Sequence, residues 1–178
     1  MQDYLELAEK NGITLIAKGS CQFCGANTQR GIHECLEIFA LDLENMELHR
    51  KENQVYRFYL VDAHVLQHPE IHGRWSNHLH LARLHLIFNY KVNWYYHLTT
   101  QLSNCINKYK VGRQDEFLSP PDIHKRGKIT STDIVKAYSE KSDLMPLLKN
   151  WANEVYDAWE DSHKTVDGIA TQFLNSGL

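Results

Sequence analysis

The sequence predicts an all-α protein, a helical bundle with a small Cys-rich metal-binding loop near its N-terminus. Three observations predict this class. Apolar residues recur at three- and four-residue steps over long stretches, as they do on the buried face of a helix. The period-two alternation that marks half-buried strands is nearly absent. A Cys-x-x-Cys pair, Cys21 and Cys24, lies between two glycines, Gly19 and Gly25, and glycine permits the tight backbone of a chelating turn.

The length and composition are those of a globular protein. The chain has 178 residues, of which 43% are hydrophobic and 23% are charged, so it can bury a core of its own. We therefore predict a single helical domain over residues 1–178. The formal net charge of -3 supplies no basic field for nucleic acid. A zinc ribbon that binds nucleic acid is also disfavoured, because it needs a second Cys pair and a basic face.

The sequence predicts a cytoplasmic protein with no membrane association. Its first residues lack the basic and apolar regions of a signal peptide, and no run of about 18 apolar residues could span a bilayer. Four cysteines are too few for a disulfide-rich secreted scaffold. In a reducing compartment, a Cys-x-x-Cys pair is more often a metal-ligand pair or a redox pair than a structural disulfide.

Seven helices are predicted from the spacing of apolar residues. The first, over residues 2–11, ends at Gly12, because glycine readily adopts the conformation that terminates a helix. The second, over residues 32–46, has the clearest single apolar face. The third, over residues 55–67, is apolar almost all round and is predicted to be central. It ends before Pro69, because the residue that precedes a proline avoids the helical region.

Four further helices follow. Residues 75–90 and 94–109 each carry an apolar face. Residues 112–130 include two consecutive prolines and a short basic patch, and they are predicted to form a flexible loop. After a short helix that ends at residue 138, a proline in a first turn begins one continuous helix over residues 146–173.

The Cys pair is the strongest functional signal. Zinc prefers tetrahedral thiolate and imidazole ligands, and the two-residue spacing lets Cys21 and Cys24 reach one ion. Two buried free thiols are the structural alternative. A redox pair is disfavoured because no βαβ pattern surrounds the motif. We predict that residues 19–35 form a loop that binds zinc.

Further candidate ligands come from predicted helices. Cys35 follows Cys24 closely enough for a third thiolate to join the site, although a buried thiol is equally common in that position. His68 lies at a helix end, and two other histidines lie on inward faces. A lone inward histidine is usually a core residue, but several together with a Cys pair favour a metal site. The predicted metal-site residues are Cys21, Cys24, Cys35, His68, His80 and His163, which exceed one tetrahedral site.

Other polar residues of this region receive lesser roles. Asp62, inside the central helix, could orient a histidine by accepting its second N–H, and a capping or surface carboxylate is an equal alternative. His78 and His85 are predicted to point away from His80. His33, His49 and His64 are predicted to take no part in the metal site.

These motifs resemble those of DUF5946, a bacterial family of unknown function. The resemblance is carried by the following segments: Cys21-x-x-Cys24-Gly25, Cys35-x-Glu37-x-Phe39, Val61-Asp62-Ala63, Gln67-His68-Pro69, Ser76-x-x-x-His80-Leu-Ala-x-Leu84 and Trp151 to His163. The chain departs from the family pattern at Tyr56, where His is expected, and at His64, where Tyr is expected. The resemblance implies that the six candidate ligands belong to one constellation, and it implies no activity.

Two functions are compatible with these residues. In the first, the zinc is structural and the surface binds a protein partner. The aromatic run Trp94, Tyr95 and Tyr96 is a candidate for that surface, although core packing explains it at least as well. In the second, the protein is a metal-dependent hydrolase or transferase. Its metal would then be held by His68, His80 and His163 inside a bundle similar to that of the DinB family, with a coordination position open to water. A filled four-ligand site would favour the first function.

Overall fold

The computed structural model describes residues 3–46 and 53–176, which contain eight α-helices and no strand. The helices are α1 (Asp3–Lys10), α2 (Gly31–Asn45), α3 (Gln54–Gln67), α4 (Arg74–Phe88), α5 (Tyr96–Tyr109), α6 (Ser131–Ser139), α7 (Leu144–Ala158) and α8 (His163–Asn175). Short 3-10 helices occupy Pro69–Ile71, Ile123–Lys125 and Glu160–Ser162. The predicted all-α class is confirmed. None of these helices is long and apolar enough to cross a membrane.

Helices α3 and α4 form the centre of the bundle. Helix α3 packs against α7 and α4, and α4 also packs against α5, α7 and α8. The main core lies between these helices and includes two tryptophans, Trp151 and Trp159, whose side chains are fully buried. Burial of such large rings supplies much of the hydrophobic stabilisation of a bundle.

A second, smaller apolar cluster surrounds the Cys-rich loop. It joins that loop to α1, to the start of α2 and to the segment that follows α3. Its buried members are Ala8, Cys21, Phe23, Ala26, Ile32, Cys35 and Ile71. The Cys-rich loop is therefore packed on the bundle, as the sequence predicts.

The prediction of one continuous helix over residues 146–173 is wrong. The chain ends α7 at Ala158, turns through Glu160–Ser162 and starts α8 at His163. Two side chains stabilise this turn. The indole of Trp159 donates a hydrogen bond to the Leu66 carbonyl at 3.1 Å, and the Ser162 hydroxyl accepts one from the Ser119 amide at 3.0 Å. Both are tertiary contacts, so no local glycine or proline marks the break.

The end of the predicted loop over residues 112–130 is attached to α3. The guanidinium of Arg126 is buried and donates to both carboxylate oxygens of Glu70, at 2.9 and 2.6 Å. The Gln67 side-chain amide also donates to the carbonyls of Arg126 and Ile129, at 3.0 and 2.9 Å. These bonds hold the loop beside the C-terminal end of α3, next to His68.

Candidate metal centre

Four of the six predicted ligands lie together. The Sγ atoms of Cys21, Cys24 and Cys35 and a ring nitrogen of His68 are all within 4.8 Å of one another. They come from the Cys-rich loop, from the first turns of α2 and from the residue that ends α3. Three of the four side chains are buried and Cys24 is half-buried. The cluster can hold one metal ion.

The spacing of these atoms fits a tetrahedral ion. The His68 Nε2 atom lies 3.5 Å from the Sγ atoms of both Cys21 and Cys35, and the Cys24 and Cys35 Sγ atoms are 3.7 Å apart. Four ligands around zinc, with Zn–S near 2.3 Å and Zn–N near 2.0 Å, would place sulfur about 3.5 Å from nitrogen and about 3.8 Å from sulfur. These three distances therefore match a tetrahedral site, the other distances among the four atoms are at most 4.8 Å, and all four cysteines are free thiols.

A tight turn brings Cys21 and Cys24 together. The Gly25 amide donates to the Cys21 carbonyl and the Cys21 amide donates to the Ala26 carbonyl, each at 2.9 Å. Gly25 has a φ of +75°, in the left-handed region that glycine adopts without strain. Phe23 is buried beneath the turn. Both cysteines thereby face the same point.

A second glycine joins the loop to α2. Gly31 has a φ of +58°, and its amide donates to the Gly19 carbonyl at 2.9 Å. Thr28 reinforces this junction by donating to the same Gly19 carbonyl at 2.8 Å. A Cβ atom at residue 31 would lie 2.0 Å from the Ile16 carbonyl oxygen. This close backbone approach sets the start of α2 and, one turn later, the position of Cys35.

The orientation of His68 is fixed by its other ring nitrogen. Its Nδ1 lies 2.6 Å from the His64 carbonyl oxygen, which can only accept, so Nδ1 is the donor and Nε2 faces the sulfurs. A backbone acceptor of this kind is the usual partner of a metal-bound histidine. Burial lowers the pKa of His68, but the negative charge of the Cys24 and Cys21 sulfurs and the hydrogen bonds that the ring donates to them outweigh it and raise the pKa to about 10. The sulfurs therefore favour a positive charge at the position of Nε2.

The thiols interact strongly with one another. Hydrogen bonds from Cys24 and Cys35 lower the pKa of Cys21, and His68 lowers it further. Hydrogen bonds with Cys21 and Cys24, together with burial, raise the pKa of Cys35. Three sulfur atoms within 4.8 Å of one another concentrate negative charge when the thiols ionise, and a bound cation relieves that repulsion.

His64 is a neighbour of the site that sequence reasoning missed. Its ring is stacked between Phe39, with centroids 3.9 Å apart, and His68, with centroids 4.1 Å apart. The side chain is buried, and neither ring nitrogen has a hydrogen-bond partner in the described part of the chain. Burial lowers its pKa well below the ordinary value, so the ring is neutral. The only available signal was the four-residue spacing of His64 and His68, which places both on one side of α3.

The remaining two predicted ligands lie elsewhere. His80 Nδ1 is 2.6 Å from an Asp62 carboxylate oxygen, and Arg83 donates to the same carboxylate from 2.8 Å. Asp62 thus accepts from a histidine N–H, although not from a histidine of the Cys cluster. His163 Nε2 is 2.9 Å from the Tyr156 carbonyl oxygen, and its ring stacks on that tyrosine.

Among residues 3–46 and 53–176, one group of three or more His, Cys, Asp or Glu side chains is close enough together to hold a metal ion. Its members are Cys21, Cys24, Cys35 and His68.

Two further predictions about histidines are corrected. The sequence predicts that His80 is the inward-facing histidine of its helix and that His78 and His85 point away from it, yet His78 and His85 are both buried. The reason is that α4 is surrounded by α3, α5, α7 and α8, so a side opposite to His80 is also interior. His33 is half-buried and donates to or accepts from the Tyr4 hydroxyl at 3.0 Å, and His49 lies outside the described residues.

The fold and the site define a helical protein with a possible Cys₃His metal centre. Residues 19–160, most of the chain, match the sequence profile of a family of unknown function, DUF5946. The chain belongs to that family. No curated protein and no solved structure gives a significant match. The matched segment contains all four clustered residues and omits His163.

Replacing Gly31 with alanine should disrupt the centre without touching a ligand. The new Cβ would collide with the Ile16 carbonyl oxygen at 2.0 Å, so we expect a loss of at least about 3 kcal/mol in the free energy of unfolding. Gly25→Ala is the matched control, because it also has a positive φ but no atom within 4 Å, and it should lose only about 1 kcal/mol. Urea denaturation of both variants measures the difference, and equal losses would contradict the proposed role of the Gly31 contact.

Proposed function

We propose that Cys21, Cys24, Cys35 and His68 bind one zinc ion and that this zinc is structural. The observation that carries the proposal is the cluster of four protein ligand atoms within 4.8 Å of one another, three of whose distances match those of a tetrahedral zinc site. Four protein ligands fill the coordination sphere of zinc, whereas a catalytic site keeps one position for water or substrate.

The donor set favours zinc over other cations. Three thiolates and one imidazole suit a borderline-soft ion that accepts tetrahedral geometry, and they do not suit magnesium or calcium, which prefer oxygen. The proposal places the protein in a reducing compartment, the cytoplasm, where its four free cysteines would stay reduced.

The zinc would join three parts of the chain. The Cys-rich loop supplies two ligands, α2 supplies Cys35 and the end of α3 supplies His68. Such a site rarely exists in an unfolded chain, so the free energy of metal binding becomes free energy of folding. We infer a single domain in which the zinc fixes the Cys-rich loop to the bundle.

The alternative of a catalytic three-histidine site has less support. His68 faces the cysteines, the Nδ1 atom of His80 is bound to Asp62, and the Nε2 atom of His163 is bound to the Tyr156 carbonyl. The three rings therefore take part in three separate sets of contacts, with no shared position for a metal among them.

The second part of the proposal is a surface for a protein partner. Tyr95 and Tyr96, at the start of α5, are 54% and 58% exposed. Exposed tyrosines provide large apolar contacts with a polar tip, which is why they are enriched in interfaces. Trp94 belongs to the core instead, at 3% exposed, so the proposed surface consists of the two tyrosines.

The metal proposal predicts about one equivalent of zinc in protein purified without an affinity tag for metals. Cys24→Ser and His68→Ala should each lose most of that zinc and lower the melting temperature by more than about 10 °C, because the binding energy stabilises the fold. Elemental analysis and thermal unfolding measure both effects.

Two variants serve as matched controls for the zinc measurement. Cys105→Ser alters a buried thiol that contacts the Ile169 carbonyl, and His163→Ala alters a histidine outside the cluster. Both should keep the full zinc content. Wild-type protein without zinc, or zinc that depends on His163 and not on Cys24, would overturn the proposal.

The partner proposal predicts a specific crosslink from Tyr96. A photoreactive amino acid at this position should crosslink to one cellular protein, because the side chain would be buried in the interface. The same amino acid at Glu160, an exposed residue of another segment, is the control. Mass spectrometry that finds the same background products from both positions would contradict the proposed surface.

A further inference from the structure

A cavity lies beside the four clustered ligands. Its volume is about 340 Å³, and it is lined by the Cys-rich turn on one side and by residues of the segment 123–127 on the other. We call it the Cys24 cavity and define it by Gln22, Cys24, Gly25, Ile123 and Gly127. It gives small molecules a route to the edge of the candidate metal centre.

The four clustered ligands differ in how far they can be reached. Cys21 and Cys35 are 3% and 1% exposed, and His68 is fully buried, whereas Cys24 is half-buried. Cys35 and His68 are not among the described lining residues of the cavity, and Cys24 is. A molecule that enters the cavity therefore meets Cys24 before the other ligands.

The lining of the Cys24 cavity favours a small neutral molecule. Apart from two cysteines, its described lining residues are glycines and the uncharged residues Ser20, Gln22 and Ile123. An anionic or cationic reagent would find no counter-charge among these side chains, and a charged group that loses water without a partner is disfavoured. Hydrogen peroxide is small and neutral and meets both conditions.

Cys24 combines the two properties that make a cysteine easy to oxidise. A thiol that coordinates zinc is held as the thiolate, and the thiolate is the nucleophilic form of cysteine. Oxidation also requires access to the sulfur, and among the three clustered cysteines Cys24 is the one that is not buried. This step rests on the proposed zinc.

A second cysteine is placed to complete the reaction. The Cys35 Sγ lies 3.7 Å from the Cys24 Sγ. A disulfide bond is about 2.05 Å long, so the two sulfurs must approach each other by about 1.7 Å. Cys24 lies outside the helices of the described chain, so its movement toward Cys35 breaks no helical hydrogen bond.

We propose that Cys24 is an oxidation site at which a hydroperoxide converts the zinc centre into a Cys24–Cys35 disulfide. The Cys24 thiolate attacks one peroxide oxygen, so that an S–O bond forms as the O–O bond breaks and the other oxygen leaves as hydroxide. The Cys35 thiolate then attacks the Cys24 sulfur, so that the S–S bond forms and a second hydroxide leaves. The two sulfurs lose two electrons to the peroxide, and two protons from water convert the hydroxides to water.

The reaction releases the zinc. A disulfide contains no thiolate, which is the form of cysteine that binds metal, so two of the four ligands are lost. Cys21 and His68 alone do not fill a tetrahedral zinc site. The centre thus responds to peroxide by freeing the Cys-rich loop from its metal link to α2 and α3.

Treatment of the zinc-loaded full chain with hydrogen peroxide tests this assignment. A chromogenic chelator measures the released zinc, and mass spectrometry after alkylation of free thiols identifies the disulfide. We expect one zinc released for each Cys24–Cys35 disulfide, with Cys21 and Cys105 still open to alkylation. Zinc retained under peroxide, a Cys21–Cys24 disulfide, or oxidation of Cys105 before Cys24 would overturn the proposal.

A variant in the cavity wall tests the route to Cys24 without changing a ligand. Ile123 is 40% exposed, and Ile123→Ala should widen the cavity and speed zinc release by peroxide at least about threefold, since oxidation follows access to the sulfur. Val135→Ala is the matched control, because Val135 is an exposed apolar residue of α6 outside the cavity lining. Equal release rates in both variants would contradict entry through the Cys24 cavity.

The zinc content before peroxide is added separates this proposal from the metal proposal. One equivalent of zinc that resists peroxide would overturn the oxidation site and leave the structural zinc in place. Protein that holds no zinc at the start would overturn both.

Discussion

The convergence of three sulfur atoms and one imidazole nitrogen is the constraint on which the N-terminal part of the structure depends. These atoms lie within 4.8 Å of one another, although the residues that carry them come from a loop and two helices. Thiols and an imidazole buried at this spacing interact strongly through their charges, and a bound cation would stabilise their ionised forms. The turn at Gly25 and the close backbone contact at Gly31 position the backbone for this convergence.

His68 links this constraint to the rest of the bundle. Its ring is packed against His64, and its neighbours in sequence, Gln67 and Glu70, hold Arg126 and the loop before α6. A single turn of chain after α3 therefore connects the candidate metal centre to the loop before α6.

Local patterns predicted the helices because apolar periodicity reports directly on a buried face. They did not predict the break between α7 and α8, since contacts of Trp159 and Ser162 with distant segments make it. Spacing also placed Cys21, Cys24 and Cys35 near one point. Periodicity predicted that His80 faces inward, but it could not identify Asp62 and Arg83 as its neighbours.

The coordination of the bound metal tests the central claim most directly. X-ray absorption at the zinc edge should give three sulfur neighbours near 2.3 Å and one nitrogen near 2.0 Å, as for a closed Cys₃His site. A first shell made only of nitrogen and oxygen, or one that includes a water oxygen in place of a sulfur, would contradict a structural zinc held by Cys21, Cys24, Cys35 and His68.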